Sequence, residues 1–151
     1  MEILLADEKT ACAVKKLTQE TIADVYPRYY PAGAVALFLA YHCDENIDRD
    51  IGEGRVYLLT AQGESVGTVT IRENGISRLY VLPRYQHRGY GKYLLDFAEE
   101  KIRNGFDSAV VDASWPAKRM YQLRGYREVE YHTLEAENGD MLCYDVMRLA
   151  F

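Results

Sequence analysis

The sequence predicts an α/β (α+β) fold with a mixed, mostly antiparallel central sheet of about seven strands. Apolar residues recur at helical spacing in the first third of the chain and alternate at strand spacing from Arg55 onward. A further helix then separates two apolar strands, and a hairpin pattern ends the chain. With 151 residues, 48% of them hydrophobic, the chain can bury one core, so we expect residues 1–151 to form a single domain.

The first part of the chain predicts one strand followed by three helices. The strand ends just before Asp7, which can cap the first helix. Two prolines separate the first helix from the second, and Asp44 can cap the third. The predicted ranges are 2–6 for the strand, 32–42 for the second helix and 45–51 for the third.

The rest of the chain predicts six strands and two helices. Two turn sequences that contain glycine join the first three of these strands into an antiparallel meander. The next strand is reached through a helix, so it can lie parallel to the strand before it. A final hairpin has its turn at Asn138-Gly139. The predicted strands are 56–60, 66–72, 76–82, 109–114, 128–134 and 141–149, and the predicted helices are 92–102 and 117–123.

Composition and charge exclude several classes of protein. The formal net charge of -5 disfavours a nucleic-acid-binding protein, which needs a basic face. No run of about 18 apolar residues is present, so we expect no membrane-spanning helix. The first residues do not resemble a secretory signal, which favours a cytoplasmic protein. The three cysteines are far apart, so the sequence predicts neither a disulfide framework nor a metal site.

The segment from Leu79 to Lys92 predicts an anion-binding turn between a strand and a helix. Gly89 and Gly91 let main-chain N–H groups approach a ligand closely. The N-terminus of the following helix adds a partial positive charge. A diphosphate group would satisfy these donors.

Two common phosphate-binding motifs do not match this turn. A P-loop would have glycine where Gln86 stands, and serine or threonine where Tyr93 stands. A dinucleotide-binding fingerprint that began at Gly89 would have a small residue where Leu94 stands. The turn therefore belongs to neither of these two classes.

The turn and the segment after the next strand carry two further motifs. Gln86, Gly89 and Gly91 follow Val81-Leu82-Pro83 in the register Q/R-x-x-G-x-G/A. A second pattern, N/S-x-x-A-x-x-x-Y-x-x-x-G-F, is matched by Ser114, Ala117, Tyr121, Gly125 and, in place of phenylalanine, Tyr126. With both motifs in this order, the chain resembles the GCN5-related N-acetyltransferase (GNAT) superfamily.

This resemblance implies a GNAT-like sheet with helices on both faces and a splayed parallel pair of strands that binds acetyl-CoA. The pantetheine arm would enter the gap between the predicted strands 76–82 and 109–114. The pyrophosphate would lie on N–H groups of the glycine-containing turn, and no metal is implied. The residues implied to bind acetyl-CoA are Tyr80, Val81, Leu82, Gln86, His87, Arg88, Gly89, Tyr90, Gly91, Lys92, Ser114, Ala117 and Tyr121.

The resemblance also implies direct attack of an amine on the thioester, without an acyl-enzyme. Tyr121 occupies the position from which the family's tyrosine hydrogen-bonds the sulfur and protonates the leaving thiolate. An alkylammonium group must first lose a proton, so we expect a general base or a proton wire. Asp112 is the first candidate for this base, and Glu73, His42 and water remain alternatives.

The acceptor is expected to be a small-molecule amine. By resemblance, the first two helices and their connecting loop line its site, which indicates Tyr29, Tyr30, Tyr41 and His42. A protein N-terminus or a lysine is an alternative acceptor, and a non-catalytic CoA-binding module is an alternative function. The final hairpin offers an edge strand for a possible homodimer. No nucleic-acid or membrane partner is expected.

Overall fold

The chain forms seven β-strands and five α-helices, and the computed structural model describes residues 1–151. The strands are β1 (Glu2–Leu5), β2 (Val56–Ala61), β3 (Glu64–Arg72), β4 (Gly75–Val81), β5 (Ser108–Ala113), β6 (Arg127–Glu135) and β7 (Met141–Ala150). The helices are α1 (Ala11–Val25), α2 (Ala32–Tyr41), α3 (Asp44–Gly52), α4 (Tyr90–Arg103) and α5 (Trp115–Arg124). None of these helices has both the length and the apolar character needed to cross a membrane.

All seven strands lie in one sheet, in the order β1-β2-β3-β4-β5-β7-β6. β4 and β5 run parallel, and every other neighbouring pair is antiparallel. The parallel pair forms because α4 carries the chain from the end of β4 back to the start of β5. The predicted mixed, mostly antiparallel sheet of about seven strands is therefore confirmed.

Helices cover both faces of the sheet, and each face has its own apolar core. Side chains alternate along β2: Val56 and Leu58 join the core under α1, α2 and α3, whereas Leu59 and Ala61 join the core under α4 and α5. This alternation is what a strand buried on both faces requires. The expected placement of helices on both faces is confirmed.

Two helices have N-cap residues that differ from the predicted ones. Oδ1 of Asp7 accepts hydrogen bonds of 3.0 Å from the main-chain N–H groups of Lys9 and Thr10, which forms a turn before α1. Thr10, not Asp7, is the N-cap of α1. At α3 the N-cap is Cys43. Asp44 lies in the first turn, where the positive end of the helix dipole stabilises its negative charge. Short acidic side chains suit both positions, so the sequence pattern does not separate them.

β4 contains a β-bulge close to the point where it leaves β5. Thr70 pairs with Ser77 and Thr68 pairs with Tyr80, so two residues of β4 lie opposite one residue of β3. Pairing between β4 and β5 ends at Ile76. Beyond that residue the two strands separate, which gives the splayed parallel pair implied by the resemblance.

Candidate active site

One edge of the β4 backbone has no strand partner after the two parallel strands separate. β4 stays paired with β3 as far as Val81, whereas its pairing with β5 stops at Ile76. The main chain of Tyr80 and Val81 therefore has one paired edge and one open edge. An open edge of this kind can bind an extended ligand as an additional strand. The N–H group of Leu82 donates to the carbonyl of Val66 at 3.0 Å, and the chain then leaves the sheet.

Three hydroxyl groups meet in the gap between β4 and β5. The hydroxyl of Tyr26, just after α1, lies 3.3 Å from that of Tyr80 and 3.2 Å from Oγ of Ser114. Ser114 was predicted to end the strand but is the N-cap of α5. Burial raises the pKa of Tyr26 and of Tyr80, so both phenols are neutral. Tyr26 thus bridges the two strands where they diverge.

The side chain of Tyr121 lies in the core beneath α4 and α5. Its ring packs against Tyr126 with the ring centroids 5.3 Å apart. Tyr121 is 5% exposed, and its hydroxyl forms no hydrogen bond within the chain. Burial, and then the neighbouring Tyr26 hydroxyl, raise the pKa of Tyr121, which keeps the phenol protonated as a donor.

A buried carboxylate anchors α5 to α4. Oε2 of Glu99 in α4 lies 2.6 Å from Nη2 of Arg124 at the end of α5. Oε1 of Glu99 accepts a hydrogen bond of 3.0 Å from the hydroxyl of Tyr126. Ala117 and Tyr121, four residues apart on one face of α5, both contact the core that α4 covers. The anchor therefore fixes where the Tyr121 hydroxyl lies relative to α4.

The turn before α4 leaves main-chain donors unpaired. Gly89 is the N-cap of α4 with a φ of +84°, and a Cβ added there would meet no atom within 4 Å. The N–H group of Tyr93 donates to the carbonyl of Gly89 at 3.0 Å and closes the first turn. The preceding N–H groups, of Tyr90, Gly91 and Lys92, have no helical partner, as at any helix N-terminus, and can bind an anion.

The side chains around this turn differ in whether they already bind other groups of the protein. Nε2 of Gln86 donates to the carbonyl of the last β4 residue at 2.9 Å and so ties the turn to the strand. His87 adopts a positive φ of 61°, which tightens the turn. The guanidinium of Arg88 lies 5.5 Å from the ring centroid of Tyr85. Nζ of Lys92 pairs with a carboxylate one turn later in α4, at 2.8 Å. Arg88 is thus the more available cation.

Tyr30 closes the space between the α1–α2 connection and the end of β5. Its hydroxyl accepts a hydrogen bond of 2.8 Å from the main-chain N–H of Trp115 and lies 3.2 Å from the carbonyl of Cys143, to which it donates. Burial raises the pKa of Tyr30 to about 12. The adjacent Tyr29 is exposed instead, and with Trp115 and Arg119 it lines an open groove beside α5.

Tyr41 and His42 end α2 in very different environments. The side chain of Tyr41 is 69% exposed, whereas His42 is only 7% exposed. Nε of Arg78 donates a hydrogen bond of 3.1 Å to Nδ1 of His42. Burial, and then the charge of Arg78, lower the pKa of His42 to about 3. His42 is therefore neutral at physiological pH, with Nδ1 already engaged.

The carboxylates proposed as general bases lie apart from each other. Asp112 of β5 pairs across the sheet with Val146 and lies two residues before Ser114, the N-cap of α5. The residue is exposed at its surface side, but desolvation by its neighbours raises the pKa of the carboxyl, an effect that His132 opposes and Glu130 increases. Glu73 lies in the β3–β4 turn, at the opposite end of β4 from the gap.

The structure brings only some of the predicted residues together. Tyr80, Ser114 and Tyr121 lie around the gap, and the hydroxyl of Tyr121 is close enough to raise the pKa of Tyr80. Tyr29 and Tyr41 are exposed and lie outside this cluster. The sequence patterns did not indicate Tyr26 or Arg78, because each acts through partners that are distant along the chain.

Comparison with known proteins decides the family of this chain. A family model described as "Acetyltransferase (GNAT) domain" matches residues 15–141. The chain belongs to the GNAT acetyltransferase family. The resemblance drawn from the two sequence motifs is therefore confirmed, and with it acetyl-CoA as the acyl donor.

Several known proteins are similar to this GNAT acetyltransferase over nearly the whole chain. An uncharacterized N-acetyltransferase in the pepI 3′ region of Lactobacillus delbrueckii subsp. lactis is 28% identical over 155 residues, which cover 87% of each protein. A GCN5-related N-acetyltransferase structure from Rhodopseudomonas palustris has a TM-score of 0.87 at 22% identity and covers 99% of this chain and 95% of that one. The PaiA N-acetyltransferase from Thermoplasma acidophilum, solved with coenzyme A, has a TM-score of 0.74 at 17% identity, with coverage of 99% and 98%.

The groups present in this GNAT acetyltransferase fit a CoA thioester. The open edge of β4 can pair with the amides of a pantetheine arm, because the arm is extended and carries both donors and acceptors. The unpaired N–H groups at the start of α4 suit a diphosphate. No group of three or more His, Cys, Asp or Glu side chains that could hold a metal ion is found.

Proposed function

We propose that this protein transfers the acetyl group of acetyl-CoA to a primary amine of a small molecule, by direct attack and without an acyl-enzyme. The observation that carries the proposal is the open edge of β4, with the hydroxyl of Tyr121 close enough to Tyr80 in that strand to raise the pKa of Tyr80. An extended acyl-CoA arm on that edge would bring its thioester into the gap between β4 and β5.

In the proposed reaction, the nitrogen lone pair of the amine attacks the thioester carbonyl carbon. The tetrahedral intermediate collapses, the C–S bond breaks and CoA leaves as a thiolate, while a proton leaves the nitrogen. Tyr121 donates a hydrogen bond to the departing sulfur. Complete proton transfer from the phenol is uphill, because even an ordinary tyrosine pKa of about 10 exceeds a thiol pKa of about 8.5 and burial raises it further.

Asp112 is the carboxylate that we propose as general base. An alkylammonium of pKa about 10.4 costs about 4.6 kcal/mol to deprotonate at pH 7, so assistance is needed. The raised pKa of Asp112 makes the carboxylate a better proton acceptor, and its exposure leaves it accessible to an amine or a bridging water. His42 is less suited, because its Nδ1 accepts from Arg78 and burial lowers its pKa.

A small acceptor is favoured over a peptide because the α1–α2 connection is closed against the final hairpin. A peptide would need an open groove there. The main-chain N–H of Gly33 instead donates to Oδ2 of Asp140 at 2.8 Å, and Tyr30 bonds to the carbonyl of Cys143. We propose that the amine reaches the thioester past the point where the α1–α2 connection contacts the final hairpin. The residues that would line this path are Tyr29, Tyr30, Tyr41 and His42.

Calorimetric titration with acetyl-CoA, CoA and ATP as a nucleotide control tests the donor site. Micromolar binding selective for the two CoA compounds supports the proposal, and absence of such binding contradicts it. Thiol release is then followed with a panel of small primary amines and with peptides that carry a free N-terminus or a lysine. Faster release with small amines supports this acceptor class, whereas faster release with peptides would replace it. CoA binding without thiol release from any acceptor would favour a non-catalytic module.

A further inference from the structure

Arg78, in the bulge of β4, has an unusual backbone conformation. Its φ is +48°, in the left-handed region that favours glycine. The other non-glycine residues with positive φ, namely Gln62, Glu73 and His87, lie in turns rather than in a strand. A strained residue inside a sheet persists only when its surroundings hold it there. The contacts of the Arg78 side chain keep its backbone in this conformation.

The guanidinium of Arg78 connects the bulge to three other elements. Nη2 forms an ion pair of 2.6 Å with Oδ2 of Asp50 in α3. Nε donates to Nδ1 of His42 at the end of α2, at 3.1 Å, and Nη1 donates to Oγ1 of Thr70 in β3, at 3.2 Å. Arg78 is 6% exposed and Asp50 is 3% exposed, so solvent cannot replace these partners.

Asp50 is the only carboxylate that pairs with Arg78, and it also binds a second arginine. Its Oδ1 lies 2.9 Å from Nη2 of Arg72 in β3. Burial by itself acts to raise the pKa of Asp50, but the two arginines outweigh it and hold that pKa below the usual value. Asp50 is therefore ionised in the folded protein. Removing its charge would leave the Arg78 guanidinium buried without a counter-ion.

The ion pair of Arg78 with Asp50 lies at the bulge, so it can affect the direction of β4 as well as the stability of the protein. Pairing with β5 ends at Ile76, two residues before Arg78. The part of the open edge that leads to the turn before α4, from Leu79 to Val81, follows directly after Arg78. The ring of Tyr80 lies 5.9 Å from that of His42. The direction in which the main chain leaves Arg78 thus sets where the open edge points.

We propose that Arg78 and Asp50 are positioning residues that hold the bulged end of β4 in the direction required by the pantetheine arm of the acyl donor. This inference rests on the proposed function, because the open edge matters to catalysis only if an acyl-CoA binds along it. Both side chains act through the main chain from Leu79 to Val81 and touch no reacting atom.

The test compares CoA with adenosine 3′,5′-bisphosphate, which corresponds to the nucleotide end of CoA and has no arm to reach β4. Asp50→Asn removes the charge with little change in shape. We expect its affinity for CoA to fall at least about tenfold, its affinity for the bisphosphate to stay within about twofold, and turnover of acetyl-CoA to fall with CoA affinity. Arg78→Lys, which keeps the charge but loses the bond to His42, should show a smaller loss of CoA affinity.

Ile51→Ala is the matched control, because Ile51 is buried next to Asp50 in α3 and carries no charge. It should lower the melting temperature while leaving the ratio of the two affinities unchanged. If Asp50→Asn leaves the ratio of the two affinities unchanged, whether both fall equally or neither falls, the role of Asp50 is purely structural and the inference is overturned. If Asp50→Asn does not fold, the ratio in Arg78→Lys decides in the same way. Failure of the wild-type protein to bind CoA would instead refute the proposed function itself.

Discussion

Nε of Arg78 donates a hydrogen bond to Nδ1 of His42 across 3.1 Å. Because Nδ1 accepts this bond, the proton of the neutral imidazole lies on Nε2. The same contact places a cation beside His42, which opposes a second positive charge on the ring. The buried histidine is therefore a neutral group whose protonation would oppose folding.

The stability of the protein should fall at acidic pH because of His42. Burial lowers the folded pKa of His42 to about 3, whereas the unfolded value is near 6.5, so the unfolded chain binds more protons between these values. The free energy of unfolding should therefore decrease as pH falls below about 6.5, by about 2–3 kcal/mol between pH 7 and 4.5 from this group. Urea unfolding at the two pH values measures the change.

His42→Asn and His132→Asn are the matched variants for this pH dependence. The asparagine at 42 offers a non-titrating oxygen that can accept from Arg78, so the loss of stability between pH 7 and 4.5 should become smaller. His132 is exposed and pairs with Glu130 at 2.8 Å, so its substitution should preserve most of the loss. An equal pH dependence in wild type and His42→Asn would show that His42 is not the group responsible.

Loss of the Tyr121 hydroxyl should slow turnover without weakening donor binding. Tyr121→Phe keeps the ring that packs against Tyr126 but removes the donor that we assign to the sulfur. We expect kcat to fall at least about tenfold, with CoA affinity within about twofold. Stopped assays of thiol release and calorimetric titration measure the two quantities.

Tyr126→Phe is the control for Tyr121→Phe, because it removes a hydroxyl from the same aromatic pair. The Tyr126 hydroxyl donates to the buried Glu99 at 3.0 Å, so its loss should lower stability by about 1–3 kcal/mol. Its kcat should stay near that of the wild type, because the ion pair of Glu99 with Arg124 still joins α4 to α5. Turnover of Tyr121→Phe equal to that of the wild type would remove the role assigned to the phenol.

A negative side chain at Gly89 should abolish CoA binding. Gly89→Asp places a carboxylate beside the N–H groups that we assign to the diphosphate, and it strains a residue whose φ is +84°. We expect at least about a hundredfold loss of affinity for CoA in a calorimetric titration. The strain should also lower stability by about 1–2 kcal/mol.

Gly63→Asp controls for both strain and charge. Gly63 has a φ of +80° in the β2–β3 turn, and a Cβ there would also meet no atom within 4 Å. Its variant should lose similar stability yet bind CoA as the wild type does. CoA binding by Gly89→Asp at wild-type affinity would exclude the start of α4 as the diphosphate site.

The order and kind of the elements could be predicted from the sequence because they depend on short-range patterns. Helical and strand periodicity located all seven strands and all five helices. Boundaries were less accurate: α4 begins at Tyr90 rather than Lys92, and Ser114 caps α5 rather than ending β5. A residue at the junction of two elements satisfies the local pattern of both, so periodicity does not assign it.

The parts of the candidate site whose residues are close along the chain could be predicted from the sequence. The parts whose residues are far apart along the chain could not. Gly89 and Gly91 belong to one turn, so their spacing alone indicated an anion-binding helix N-terminus. Arg78 looked like an ordinary charged residue of a strand. Its partners Asp50 and His42 are 28 and 36 residues away along the chain.

The sequence by itself determined which elements form, in what order, and where an anion can meet a helix N-terminus. It could do so because these features depend on residues a few positions apart. Only the tertiary structure decided that Tyr26 meets Ser114, 88 residues away, and that a buried arginine holds the bulge beside the open edge of β4. Such contacts exist only once α1, α2 and α3 have packed on one face of the sheet, which no local pattern specifies.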